Sequence, residues 1–172
     1  IKLQSEMADI QIITGQTSEQ LATNLSSVVS AAQDTGTTLG EATNVFEQAL
    51  RAAGRYSTEA ERMSKAQTLM RDSLVLSRIG NIEAAKALDT LTGALRQQGL
   101  EIDQASNLLD KWVVTSNRAK VSMGDLAESF AITAAQARSV GVNADQLNGV
   151  IGTLAEVTTL SSTEIGNLAR TL

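Results

Sequence analysis

The chain of 172 residues contains no histidine, no cysteine and no proline. Without cysteine there is no disulfide framework and no thiolate nucleophile. Without histidine as well, zinc and most transition-metal sites lose their usual ligands. Catalytic triads that use histidine as base are ruled out too. No cofactor, no metal site and no catalytic residue is therefore expected. Without proline, the turns must rest on Gly, Asn, Ser and Thr. Four aromatic residues, Phe46, Tyr56, Trp112 and Phe130, leave little for base stacking or for an aromatic-lined pocket. Fourteen Lys and Arg stand against nineteen Asp and Glu, a net charge of -5. Phosphate contacts need clustered cations, so no specific nucleic-acid binding is expected. No apolar run approaches the roughly 18 residues that cross a membrane. No charged-then-apolar leader follows Ile1. The chain starts without Met and stops inside a helical pattern, so a piece of a longer protein is expected.

What is present is a helical period, repeated with start and stop signals. Residues 1–13 carry Ile1, Leu3, Met7, Ile10 and Ile13, as at the end of an earlier helix. Thr17 and Gln20 have capping-box spacing before Leu21, Leu25, Val28 and Val29, and Gly36 closes that stretch. Thr38 opens a helix bearing Ala42, Val45, Phe46, Ala49 and Leu50. Thr58 with Glu61 opens one bearing Met63, Leu69, Met70 and Leu74, to Gly80. Asn81 opens a helix with Ile82, Leu88, Leu91 and Leu95, stopped at Gly99. Asp103 caps one with Leu108, Leu109, Trp112 and Val113. Ser122 with Asp125 starts one with Leu126, Phe130 and Ala134. Asn143 with Gln146 starts one with Leu147, Val150, Ile151 and Leu154. Ser161 with Glu164 starts the last, with Ile165 and Leu168.

The cap positions Thr38, Ser57, Asn81, Asp103, Ser122, Asn143 and Ser162 recur at intervals of 19 to 24 residues. That is one helix plus one turn. Short turns make neighbours antiparallel, so the unit is a helical hairpin. Three turns share a form: Gly54, Gly99 and Gly141 each precede a residue that packs back and a residue that caps. The expected fold is all-α, about eight short consecutive helices in irregular antiparallel hairpins, solenoid-like, with no sheet. Ala-rich faces bury little apolar area per hairpin, so each hairpin alone is marginal.

The carboxylate pairs Glu59 with Glu61, Glu101 with Asp103, and Asp125 with Glu128 fall in first helical turns. There the helix dipole favours negative charge, and they are read as caps rather than as an acid/base pair. The basic stretch Arg51, Arg55, Arg62, Lys65 and Arg71 is interleaved with acids and reads as a solvated face. Gly36 and Gly40 have small-xxx-small spacing in polar surroundings. Tyr56, in a turn, reads as a lid over a helix end. Phe46, Trp112, Phe130 and Leu154 sit on apolar stripes and are the packing or interface candidates.

In its second half the chain resembles the core region of phage tail tape measure proteins. The resemblance is carried by the ordered run of residues 82–95, Gly99-Leu100, residues 103–114 with Trp112, residues 116–122, residues 125–130 with Phe130, residues 135–141, residues 154–157 and residues 162–172. It covers 36–172 and is clearest over 82–172. The closing motif, Gly166 to Arg170, departs slightly from the Gly-Thr-Ala-Leu-Arg flavour of many relatives.

Residues 1–35 are expected, from their own periodicity, to be an N-terminal helical segment continuing from a longer chain. The resemblance implies 36–172 as the tape-measure core hairpin region, continuing past 172. It implies a protein in the tail lumen or tip of the virion, made in the host cytoplasm, that sets tail length and leaves ahead of the DNA. Implied partners are the chain itself as a small homo-oligomer such as a trimer, tail-tube and tail-tip or baseplate proteins, assembly chaperones, and the host envelope through absent segments. No catalytic residue is implied. Two other readings stay open: a segment of a tail-associated peptidoglycan hydrolase, and a generic α-solenoid adaptor.

Overall fold

In the computed structural model, which describes residues 18–158 and 160–171 with side chains from residue 25 onward, helices begin where short polar side chains replace missing backbone partners. Among the described residues eight α-helices follow in order. They are α1 (Ser18–Thr35), α2 (Leu39–Ala52), α3 (Glu59–Gly80), α4 (Ala84–Gln98), α5 (Ala105–Ala119), α6 (Met123–Ser139), α7 (Ala144–Val157) and α8 (Ser162–Ala169). Two 3-10 turns, Ala53–Arg55 and Ile102–Gln104, extend α2 and introduce α5. The expected all-α fold holds, and among the described residues there is no strand. The expectations for residues 1–13 and for Thr17 lie outside the described residues.

The capping boxes at Asn143–Gln146 and Ser161–Glu164 form as the spacing predicts, and Thr58–Glu61 forms its hydroxyl half. The Asn143 side chain accepts from the Gln146 N–H at 3.0 Å, and the Gln146 side chain accepts from the Asn143 N–H at 3.0 Å. Ser161 and Glu164 do the same at 3.4 and 2.9 Å. The Thr58 and Ser122 hydroxyls accept from the N–H of Glu61 and Asp125. Thr38 makes a further box with Glu41.

Four starts need correction. Asn81 does not open α4; it ends α3 in the left-handed conformation at φ 51°. Asn serves both ends of a helix, because its short amide can cap and can also tolerate φ above zero. The cap of α4 is Glu83 instead. Asp103 does not cap α5; it sits inside the 3-10 turn and pairs with Lys65. The caps of α3 and α8 are Thr58 and Ser161, not Ser57 and Ser162. Three turns use glycine at positive φ (Gly36, Gly99 and Gly141), whereas Lys120 makes the same turn after α5 at φ 56°.

The helices stack as two rows. Each packs on the next but one, so α1, α3, α5 and α7 form one row and α2, α4, α6 and α8 the other. Sequential neighbours pack across the rows, and α4 reaches α5 through the 3-10 turn at Ile102–Gln104. One apolar core runs between the rows, from Val28 to Ile165. This is a solenoid of hairpins, in which each layer touches only its neighbours.

Close approach between layers depends on small residues. Gly80 ends α3 against Gly124 near the start of α6; a Cβ on Gly124 would lie 2.6 Å from the Gly80 carbonyl oxygen. Gly152 of α7 accepts the Thr115 methyl of α5, and Gly166 of α8 accepts Ile132 of α6. Gly36 and Gly40, whose polar surroundings weaken the small-xxx-small match, make no such contact.

Candidate functional site

Long-range polar ties step along both rows. Gln67 of α3 donates to the Ser27 hydroxyl of α1 at 3.4 Å. Lys65 of α3 pairs with Asp103 just before α5. Gln98 of α4 donates to the Ala134 carbonyl of α6 at 2.7 Å, and Lys86 pairs with Glu128 at 3.4 Å. Asn148 of α7 donates to the Thr115 hydroxyl of α5 at 2.7 Å, and Lys111 pairs with Asp145. Ser129 and Thr133 of α6 donate to the carbonyls of Ser162 and Gly166 in α8 at 2.7 and 3.0 Å. These ties join residues 33 to 42 apart in sequence, so they set the stacking register of whole hairpins. The ion pairs lie at or near the surface, where solvent screening leaves them little net stabilisation. Their use is geometric, since each fixes one hairpin against the next.

The aromatic residues fall at different levels of the stack. Trp112 on α5 and Phe130 on α6 are fully buried and meet edge to face, with centroids 5.3 Å apart. Phe46 is fully buried on α2. Leu154 on α7 is half-buried against the core. The Trp112 indole N–H, the Ser73 hydroxyl and the Asn148 carbonyl oxygen are buried without a partner.

At the turn end, Tyr56 packs partly on the core and joins a charged cluster. Its hydroxyl donates to Glu101 at 2.7 Å, and Arg55 donates to Glu101 at 2.7 Å and to the Tyr56 oxygen at 3.0 Å. The cations of Arg55 and Lys65 stand 5.1 and 5.4 Å from the ring centroid. The hydrogen bond to Tyr56 pushes the Arg55 guanidinium up, and that to Asp103 pushes the Lys65 amine up. Glu101 and Asp103, read as first-turn caps, thus also lock one turn to the previous one. Each charge has an opposite partner, so the cluster ties turns and presents no free acid or base.

Asp72 is the exception. It is buried in α3 and held by one hydrogen bond, from the Ser106 hydroxyl of α5 at 2.8 Å. Burial pushes its carboxyl up, and Asp110 adds to this; Ser106 and Arg71 oppose it less strongly. A carboxyl raised in the folded state favours folding in its neutral form. That contribution is complete below the unfolded value near 3.8 and is lost as pH rises through the raised folded value. Asp72→Asn keeps an acceptor for Ser106 and removes the buried charge. It should raise the melting temperature at pH 7, and the gain should vanish near pH 3.5. Equal effects at both pH values would refute this account.

The C-terminal end of the stack differs from the rest. A cavity of about 290 Å3 opens between α6, α7 and α8, lined by Val121, Leu126, Ile151, Ala155, Leu160 and Ile165 among others. Val150, Val157, Leu160 and Leu168 are exposed around this end. Among the described residues no group of His, Cys, Asp and Glu side chains is placed to hold a metal ion. No helix there is long and apolar enough to cross a membrane.

Residues 30–172 match the family described as phage-related minor tail protein. The tape measure protein of Pneumococcus phage Dp-1 is 24% identical over 155 residues, which cover 90% of this chain. The chain spans 13% of the length of that relative. No solved structure matches.

Proposed function

Because the chain belongs to the phage-related minor tail protein family, we propose that it is a tape-measure segment that helps set tail length and leaves the tail ahead of the DNA. Family membership itself gives it a structural role in a phage tail, inside the virion. The likeness to the Dp-1 tape measure protein across 90% of the chain carries the finer reading. Its partners are then other tail proteins: tube and tip or baseplate subunits, assembly chaperones, and further copies of itself. Residues 36–172 act as a folded hairpin module in the tail lumen or tip, not as the rod. The stacked rows support this, because a ruler that works by length needs an unbroken helix and this segment is reversed at every turn.

The test is an in-frame deletion of residues 36–172 in the phage that encodes them, with tails measured by electron microscopy. A straight helix of 137 residues would span roughly 200 Å at about 1.5 Å per residue. A folded module predicts unchanged tail length or failed assembly. Tails shortened by roughly that 200 Å would identify the segment as rod instead. Mass spectrometry of purified tails should detect the chain before DNA release and show it depleted afterwards. Its absence from intact tails would overturn the tape-measure reading altogether.

A further inference from the structure

Three helices grip the next helix of their row from the same places. In α5 these are the seventh and eleventh residues counted from the first helical one, Lys111 and Thr115, which hold Asp145 and Asn148 of α7. In α6 they are Ser129 and Thr133, which hold the carbonyls of Ser162 and Gly166 in α8. The seventh residue of α3, Lys65, holds Asp103 just before α5. The two places lie one turn apart, on one face of the helix. In α7 they carry Val150 and Leu154, with Val157 on the same face, and in α8 the seventh residue is Leu168. Val150 and Leu168 are each 37% exposed, and Val157 is 71% exposed. Val157 stands where α3 has Asp72, the fourteenth residue, which is buried beneath Ser106 of α5. In both rows the gripping places have thus turned from polar to apolar. Lysine, serine and threonine there would suit water; valine and leucine do not.

We propose that the stack continues in the same polypeptide, and that the hairpin following Leu172 lays one helix on α7 and the other on α8 across an apolar seam. The residues it brings are set by register. Along the row of α7, the gripped places are the second and fifth helical residues, Asp145 and Asn148 in α7 itself. The same two places in the next helix are apolar, to match Val150 and Leu154. Two observations favour a hairpin of the same chain as the occupant. The bare gripping places fall in both rows at once, and a single added helix covers only one of them. The chain also spans 13% of the Dp-1 relative, and a tethered segment folds back without the cost of bringing two molecules together. The inference deepens the hairpin-module reading above, making the module one block of a longer solenoid. It rests on that reading for the longer chain and not on the control of tail length.

Maleimide labelling of the full-length polypeptide, read peptide by peptide in a mass spectrometer, tests it. Val140 and Val157 are 70% and 71% exposed, and residues 1–172 hold no cysteine, so Val140→Cys and Val157→Cys place equally open thiols at known sites. With the next hairpin seated, Val157→Cys should react about tenfold more slowly than Val140→Cys, or slower still, at every protein concentration. Leu168→Cys, in the other row, should be protected in the same way. Similar rates at Val140→Cys and Val157→Cys would overturn the proposal. Protection in one row alone would overturn the hairpin, and protection lost on dilution would give the face to another molecule. The sequence after Leu172 is a further check: a helix with charged residues at its second and fifth places would overturn the apolar seam. None of these outcomes alters tail length, so the tape-measure reading stands or falls separately.

Discussion

Trp112→Ala should destabilise the fold by about 3–5 kcal/mol, the largest effect expected of any substitution in the core. Trp112 is fully buried on α5 and meets Phe130 of α6 edge to face. Its removal leaves a cavity at a level where two rows and two hairpins join, and the Ala-rich surroundings have little side chain with which to refill it. For a domain of this size the melting temperature should drop by roughly 10 °C or more. Trp112→Phe should be much milder. It keeps an aromatic partner for Phe130 and deletes an indole N–H that is buried without an acceptor. Urea unfolding of the three proteins, followed by circular dichroism, checks this. Equal losses for Ala and Phe would mean that the indole N–H is satisfied and that the pairing is not what Trp112 supplies.

Gly124→Val should follow, with a loss of about 1–3 kcal/mol or more from overpacking. The added Cβ would stand 2.6 Å from the Gly80 carbonyl oxygen and 3.0 Å from the Ile82 side chain. The first of these neighbours is backbone and cannot swing aside, so α3 and α6 must separate. Gly93 on α4 is the matching control. A Cβ there meets nothing within 4 Å, and the residue lies inside a helix. Gly93→Ala should therefore stabilise by about 0.5–1 kcal/mol. Two glycines in helices thus give opposite signs, decided by what lies beside each. If Gly124→Val melts like the wild type, the close crossing of α3 and α6 is not present in solution.

The residues that start and stop helices were legible in the sequence because their physics is local. Asn143 and Gln146, or Ser161 and Glu164, need only each other. Asn81 was misread because the same amide suits either end of a helix. Lys120 gave no signal, since a left-handed lysine is a choice made by the turn and not by the side chain. The ties between hairpins were illegible for another reason. Lys65, Lys111, Gln98 and Asn148 look like ordinary surface residues until partners 33 to 38 positions away come alongside. Gly80 reads as helix punctuation and Gly124 gives no signal in the sequence, whereas the larger role of both is contact with each other. Trp112 and Phe130 each showed as core on their own stripes, but nothing in the spacing said that they would meet. The exposed stripe on α7 was hidden in the same way: Val150, Leu154 and Val157 look like core in sequence, and only the stack shows that nothing among the described residues covers Val157.

The row-to-row stacking has a mechanical meaning. A globular core shares load among many contacts at once, so pulling on it meets one high barrier. In this stack a helix is held chiefly by its sequence neighbours and by the next but one. Tension applied at α8 first strains the α6 and α7 contacts, with α3 still undisturbed. The chain should come apart by peeling, one hairpin at a time, and the force at each step is set by a single layer rather than by the whole molecule. Such a segment can keep its shape at rest and still be drawn out, end first, through a passage too narrow for the folded stack.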